Sequence, residues 1–300
     1  MKQKDVMIKG KKYQLVSEFR DEKEIREQFY ELPKTMFCLD FKPWYEAGYW
    51  SENYNPHCLL DNGRPVSNIS IYHQKFMLSG VEKHLIQIGG VCTFEEYRNQ
   101  GLSRYIMEAI IEEYKEKCDS LFLMANDSVL EFYPKFGFEK SIEYQYVTYS
   151  KEVSNTYHVK KLDSKNERDY NLAIRKMKDI NSDIELATMQ QSELAMLYWQ
   201  ICNICEFYYI EELDVIAVAS YDKDELVIDH IYGQAPLEEV IKALCNKKNT
   251  KVILGFKPSN PDNYRVEEYH EEDCTLFILN KAFKKEFDTK KLRFSAISYT

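Results

Sequence analysis

Residues 93–104 read TFEEYRNQGLSR, and within them Arg98, Gly101 and Ser103 are spaced to hold an anion. The stretch closes an apolar run and opens a long amphipathic one, so it lies where a strand hands over to a helix. The first N–H groups of a helix have no intrahelical partner, and the helix dipole puts partial positive charge beside them. Gly101 has no Cβ and lets a ligand approach the main chain; Arg98 brings a planar cation suited to phosphate, and Ser103 a small hydroxyl. Phosphate or pyrophosphate is the ligand these parts fit. Taken alone, Gly101 suits a plain helix start equally well, with Arg98 a solvated loop charge. The spacing is neither G-x-x-x-x-G-K-[ST] nor G-x-G-x-x-G, which sets aside nucleoside triphosphates and NAD. Just upstream, Gly89-Gly90 in IQIGGVCT stand inside a strand, where paired glycines mark a bulge. Such a bulge would splay this strand from the next and open a cleft lined by main-chain groups.

Arg98 to Ser103 resembles the [RQ]-x-x-G-x-[GA] motif of the GNAT superfamily of acyl-CoA N-acyltransferases, with serine at the last position. A second match follows at the family's spacing in LMANDSVLEFYPKFGF, and the resemblance spans residues from about 13 to 150. It implies a mixed α/β GNAT fold with acetyl-CoA as co-substrate. It also implies that Val91, Cys92 and Thr93 pair with the pantetheine arm, and that the N–H groups of Asn99, Gln100, Gly101, Leu102, Ser103 and Arg104 hold the pyrophosphate. Asn126 matches a position that contacts the cofactor arm.

Acetyl transfer from a thioester to an amine needs a neutral amine, a stabilised oxyanion and a proton for the departing thiolate. A main-chain N–H near Val91 can serve the oxyanion. By the same resemblance Tyr133 is the acid that protonates the sulfur; the alternative is that Phe132, Tyr133, Phe136 and Phe138 merely pack a short helix. No base stands out. The bulged strand offers His84 and Gln87 but no carboxylate, which leaves a water chain or a neighbour such as His73 or Glu95.

The elements that must position these residues follow from periodicity. YQLVSEF alternates as a strand, DEKEIREQFYELPKTMF has helical spacing, and DFKPWYEAGYW reads as a short aromatic helix. PHCLLDNGRPVSNISIYHQKF is a hairpin turning at Asp61-Asn62-Gly63. Residues 102–118 are an amphipathic helix, SLFLMAN a strand, and IEYQYVTY another. Residues 150–170 are polar and aperiodic, placing a junction there between a catalytic domain at 1–150 and a second at 151–300. The second half runs helices to about residue 209, then the hairpin DVIAVASYDKDELVIDHIYG, the helix PLEEVIKALCN, and strands KVILGF and CTLFIL. That order looks like a degenerate second GNAT copy, with HIYGQAPLEE where an arginine-led phosphate loop would stand.

The chain has 300 residues and a net charge of −9, spread over both halves. No basic stripe suits a phosphate backbone, no apolar stretch suits a membrane span, and the N-terminus lacks a signal-peptide core, so the expectation is a cytoplasmic protein without nucleic-acid or membrane partners. Its eight cysteines are scattered in apolar surroundings and read as reduced buried thiols. Cys202 and Cys205 form a C-x-x-C without a second pair or nearby histidine, so core packing is expected over zinc. Two functions are compatible with these features. One is an N-acetyltransferase acting on a small-molecule or peptide amine, and the other a catalytically silent acyl-CoA-binding sensor or scaffold.

Overall fold

The structure, a computed structural model, describes residues 1–151, 156–189, 192–223 and 225–299. Strands β1 (Lys2–Ile8) and β2 (Lys11–Ser17) form a hairpin turning through Lys9 and Gly10, both at positive φ. Sequence periodicity misses β1 because KQKDVMI is mostly charged and exposed, a composition that suits a sheet edge. The expected helix after β2 is split into α1 (Lys23–Phe29) and α2 (Glu31–Phe37). Pro33 explains the break, since it has no N–H to offer the carbonyl of Phe29. Helix α3 (Lys42–Glu46) follows, then β3 (Tyr54–Asp61) and β4 (Arg64–Leu78), joined through Asn62 and Gly63 at φ 50° and 84°. Strand β5 (Val81–Thr93), helix α4 (Leu102–Tyr114), β6 (Ser120–Ala125) and the two-residue β7 (Glu139–Lys140) complete this half.

Beyond it come β8 (Glu143–Tyr149), β9 (Val159–Lys161), α5 (Glu167–Lys176), β10 (Leu186–Thr188), α6 (Ser192–Met196) and β11 (Phe207–Ile210). Strands β10 and β11 lie where helices were expected to run on to about residue 209. The expected junction falls partly on residues 152–155, outside the described residues. Next are β12 (Val215–Asp222), β13 (Glu225–Tyr232), α7 (Leu237–Leu244), β14 (Lys251–Leu254), β15 (Arg265–Tyr269), β16 (Thr275–Ile278) and α8 (Lys281–Lys290).

Two mixed sheets result. The first runs β1-β2-β3-β4-β5-β6-β16-β7, with β10 beside the far end of β4; the second runs β15-β8-β14-β13-β12-β11-β9. The same device occurs in both. Antiparallel β4 and β5 shift register between Asn68 and Ser70, α4 follows, and β6 returns parallel to β5. Antiparallel β12 and β13 shift between Val218 and Ala219, α7 follows, and β14 returns parallel to β13. The second half therefore repeats the first in arrangement as well as in element order.

The halves also trade strands. Beside β6 sits β16 from late in the chain, and in the matching place beside β14 sits β8 from the end of the first half. The proposed division at residue 150 thus follows the chain, while each sheet is completed by a strand from across it. The segment after α8 is wedged between the sheets: Phe294 stacks on Phe122 at 4.3 Å, the Ser295 hydroxyl donates to the Asp229 carbonyl at 2.8 Å, and Gln74 donates to the Ser298 carbonyl at 2.7 Å.

Candidate active site

The bulge is the centre of the site. Between the pairs Asn68↔Cys92 and Ser70↔Gly89, β5 carries one residue more than β4, which leaves Gly90 and Val91 without register partners. Gly90 takes φ 56°, open to a glycine at little cost. Asn68 locks it: buried, its Nδ2 donates to the Gly90 carbonyl at 2.8 Å and to Ser70 Oγ at 2.9 Å, while its Oδ1 accepts from the Cys58 thiol at 3.2 Å. Past the bulge β5 and β6 separate. Their parallel pairing ends at Ile88↔Leu123, and β6 turns its other edge to β16.

The loop after β5 supplies the anion cradle. Arg98 N donates to the Glu95 carbonyl, and the first helical bond of α4 is Tyr105 N to Gly101 O. Between them the N–H groups of Asn99, Gln100, Gly101, Leu102, Ser103 and Arg104 have no hydrogen-bond acceptor among the described residues. Gly101, at φ 88°, ends the loop as the residue before the helix. Six unpaired donors thus lie at the positive end of a 13-residue helix, an arrangement suited to an anion. The Ser103 hydroxyl shares a hydrogen bond of 2.8 Å with Thr93, which shares one of 2.7 Å with Ser67, tying the helix start to the strand end. Arg98 Nε donates to the Thr93 carbonyl at 3.4 Å.

A cavity of about 920 Å³ joins these parts. Val91, Cys92, Thr93, Arg98, Ser103, Asn126 and Tyr133 all line it. Asn99, Gln100, Gly101, Leu102 and Arg104 do not line it, and the side chains of Gln100, Leu102 and Arg104 are engaged elsewhere. Gln100 accepts from the Tyr13 hydroxyl at 3.0 Å, Leu102 is buried in the core, and Arg104 lies 5.3 Å from the Phe136 ring. What these five residues offer a ligand is main chain. Asn126 lines the cavity while its amide donates to the Asp273 carboxylate at 2.8 Å.

Tyr133 is buried and its hydroxyl has no hydrogen-bond partner among the described residues; burial pushes its pKa up to about 12. The Cys92 thiol is likewise pushed up to about 12 by burial, so it is an inert wall. Neither neighbour considered as a base reaches the cavity. His73 stacks on His84 at 5.3 Å and is pushed down to about 4 by burial, and Glu95 lies on the exposed turn Glu95–Tyr97. Carboxylates on the lining come instead from the second half, as Glu271 and Asp273 between β15 and β16. Sequence reading missed them because YHEED has the look of a solvated acidic loop. It also missed Asn68, whose one signal is an amide in the otherwise apolar PVSNISIY.

Residues 20–141 match the family described as Acetyltransferase (GNAT) domain. The chain carries a GNAT acetyltransferase domain at residues 20–141. Solved structures of similar fold include a probable N-acyltransferase from Enterococcus faecalis V583, with 12% identity and TM-score 0.56 over 89% of this chain and 71% of that one. A GCN5-related N-acetyltransferase from Kribbella flavida has 14% identity and TM-score 0.53 over 89% and 71%. Eis1 from Mycobacterium abscessus has 11% identity and TM-score 0.53 over 87% and 72%. At these identities the likeness is one of fold. No curated protein matches the sequence. The chemistry of this GNAT domain is acyl transfer, with acyl-CoA the co-substrate of its family.

The second half has the arrangement without the cradle. At the start of α7 stands Pro236, which has no N–H; Leu237 N already donates to the Asp183 carboxylate at 3.1 Å, and Glu238 and Glu239 fill the first turn. These acids suit the helix dipole and repel phosphate. Among the described residues no cluster of His, Cys, Asp or Glu could hold a metal, and no helix is long and apolar enough to cross a membrane.

Proposed function

We propose that the chain moves an acetyl group from acetyl-CoA to a primary amine by direct attack on the thioester. The observation that carries this reading is the run of six unpaired N–H groups from Asn99 to Arg104 beside the splayed strands. They fit a diphosphate, and Arg98 adds a cation next to it. From there the free edge of β5 at Val91, Cys92 and Thr93 pairs with the amide-bearing pantetheine arm as a further strand would. The thioester then lies by the bulge, where the N–H of Val91 faces the developing oxyanion.

Tyr133 is the donor to the sulfur. Its raised pKa keeps it protonated through the physiological range. Full transfer to a thiolate of ordinary pKa near 8.5 is uphill, so the phenolic proton moves as the attacking nitrogen gives up its own. The test is release of free thiol from acetyl-CoA in the presence of amines, followed against a protein-free control. Thiol release that no amine accelerates, with acetyl-CoA bound, would leave a silent acyl-CoA sensor as the better reading.

A further inference from the structure

We infer that the acceptor is a small amphipathic monoamine, one ammonium on an aromatic or aliphatic body, and that Glu271 from the second half is the carboxylate that receives it. This rests on the acyltransferase reading above. The cavity extends past Tyr133 beneath α1 to α3, where Phe29, Met36, Phe41 and Trp44 line one side and Leu197 and Tyr198 of the second half line the other. The rings pack on one another, Phe41 stacked on Tyr54 at 5.4 Å and Trp44 edge-on to Tyr54 at 5.3 Å. An apolar body gains by entering such a space, and the lining hydroxyls of Tyr54, Tyr72 and Tyr198 already bond to Ser70, Glu193 and the Tyr299 carbonyl, so added hydroxyl groups would lose water for few partners.

Charge narrows the choice further. The described lining carries three charged side chains, Arg98 at the phosphate end, Asp273 and Glu271. Both oxygens of Asp273 are committed, one to Asn126 Nδ2 and one to Asp127 N. Glu193, behind the wall, is committed to Asn53 and the Tyr72 hydroxyl. Glu271 accepts from the hydroxyls of Tyr299 at 3.0 Å and Tyr269 at 3.3 Å, and no ion pair joins it to a cation among the described residues. Held by hydroxyls and, among the described residues, by no cation or N–H donor, Glu271 is the carboxylate of the lining that answers one ammonium. A polycationic, polyhydroxylated acceptor would bring charges and hydroxyls that this lining leaves unmet.

The same carboxylate takes the proton of the ammonium it receives. Asp273, two residues on, fastens the loop to the end of β6, and Phe277 of β16 packs on the Tyr133 ring at 5.8 Å, so the loop and the proposed acid border one cavity. The ammonium gives one proton to Glu271, and the freed lone pair attacks the thioester carbon. The N–C bond forms and the C–S bond breaks as sulfur takes the Tyr133 proton, and the second proton lost by nitrogen restores the phenol. Glu271 returns its proton to solvent, and the products are amide and free thiol.

The experiment measures thiol release with tryptamine, octylamine, spermidine and kanamycin for the full chain and for Glu271→Gln, with CoA affinity by calorimetry alongside. The expected result is a kcat/KM for tryptamine or octylamine at least about tenfold above those for spermidine and kanamycin. Glu271→Gln should lower the favoured value about 10²-fold, the scale of general base catalysis, with CoA affinity unchanged. Preference for kanamycin or spermidine, or an unaltered rate in Glu271→Gln, would overturn the inference while leaving acyl transfer intact. Absence of CoA binding would overturn the underlying reading and this one together. Glu271→Asp separates chemistry from folding: partial recovery of rate in a variant with wild-type melting and CoA affinity supports the role, and none overturns it.

Discussion

Asn68 and Tyr133 stand for two kinds of residue, one that builds the cleft and one proposed to work in it. Asn68 holds the Gly90 carbonyl from a buried position, so Asn68→Ala should cost about 1–3 kcal/mol of stability by leaving that carbonyl unpaired, and should weaken CoA binding as the bulge relaxes. Denaturant unfolding with CoA titration measures both. Tyr133 has no hydrogen bond among the described residues to lose, so Tyr133→Phe should leave the melting temperature and CoA affinity nearly unchanged while kcat falls about 10²-fold. Equal kcat values would return Tyr133 to the aromatic core. The two residues also differ in how far a sequence reveals them. Tyr133 has a motif around it, whereas Asn68 is a single amide in an apolar strand, with a role that exists only once β5 has bulged opposite it.

Elements whose cause is local were legible: the Asn62-Gly63 turn, the glycine bulge, α4 and β6 all follow from positive φ or from periodicity within a few residues. Elements whose cause is tertiary were not. β1 is polar because it is an edge, and β11 lies in the aromatic run MLYWQICNICEFYYI, where apolar continuity hides the change from helix to strand. Strand exchange is invisible by its nature, since β8 and β16 each look like the last strand of their own half and their partners are chosen in space. At this scale the loop into α4 makes its own prediction. Arg98→Ala removes a charge-assisted contact worth about 1.5–3 kcal/mol, which is about ten- to a hundredfold in affinity for CoA. Pantetheine, which lacks the diphosphate, should bind both proteins alike in competition assays. An equal loss for pantetheine would place Arg98 elsewhere than at the phosphates.

The whole molecule joins two copies of one arrangement, of which one leaves the N–H groups at its helix start free and the other sets acids there. Its interior also sets how it responds to pH. Burial holds His57 and His73 down to about 4 and His230 to about 3, and His57 Nε2 and His230 Nδ1 have no hydrogen-bond partner among the described residues. The unfolded chain takes up protons at these three sites near pH 6.5 while the folded one does not, so their contribution is present above pH 6.5 and lost as pH falls toward 4. Glu143, raised to about 7 by burial, and Asp229, raised for the same reason, act in the opposite sense, favouring the fold at low pH. With three histidines against two carboxyls, the melting temperature should fall between pH 7 and pH 5; a rise would show that the imidazoles are protonated inside the fold. Calorimetric titration of CoA into the wild-type chain and into Gly101→Val tests the central claim most directly, because Gly101 borders the free N–H groups and a branched side chain at φ 88° disturbs both their geometry and the approach of a diphosphate. The expected result is one CoA per chain, with affinity lost by tenfold or more in a variant that still melts cooperatively. Two equivalent sites, or unchanged affinity in the folded variant, would contradict it.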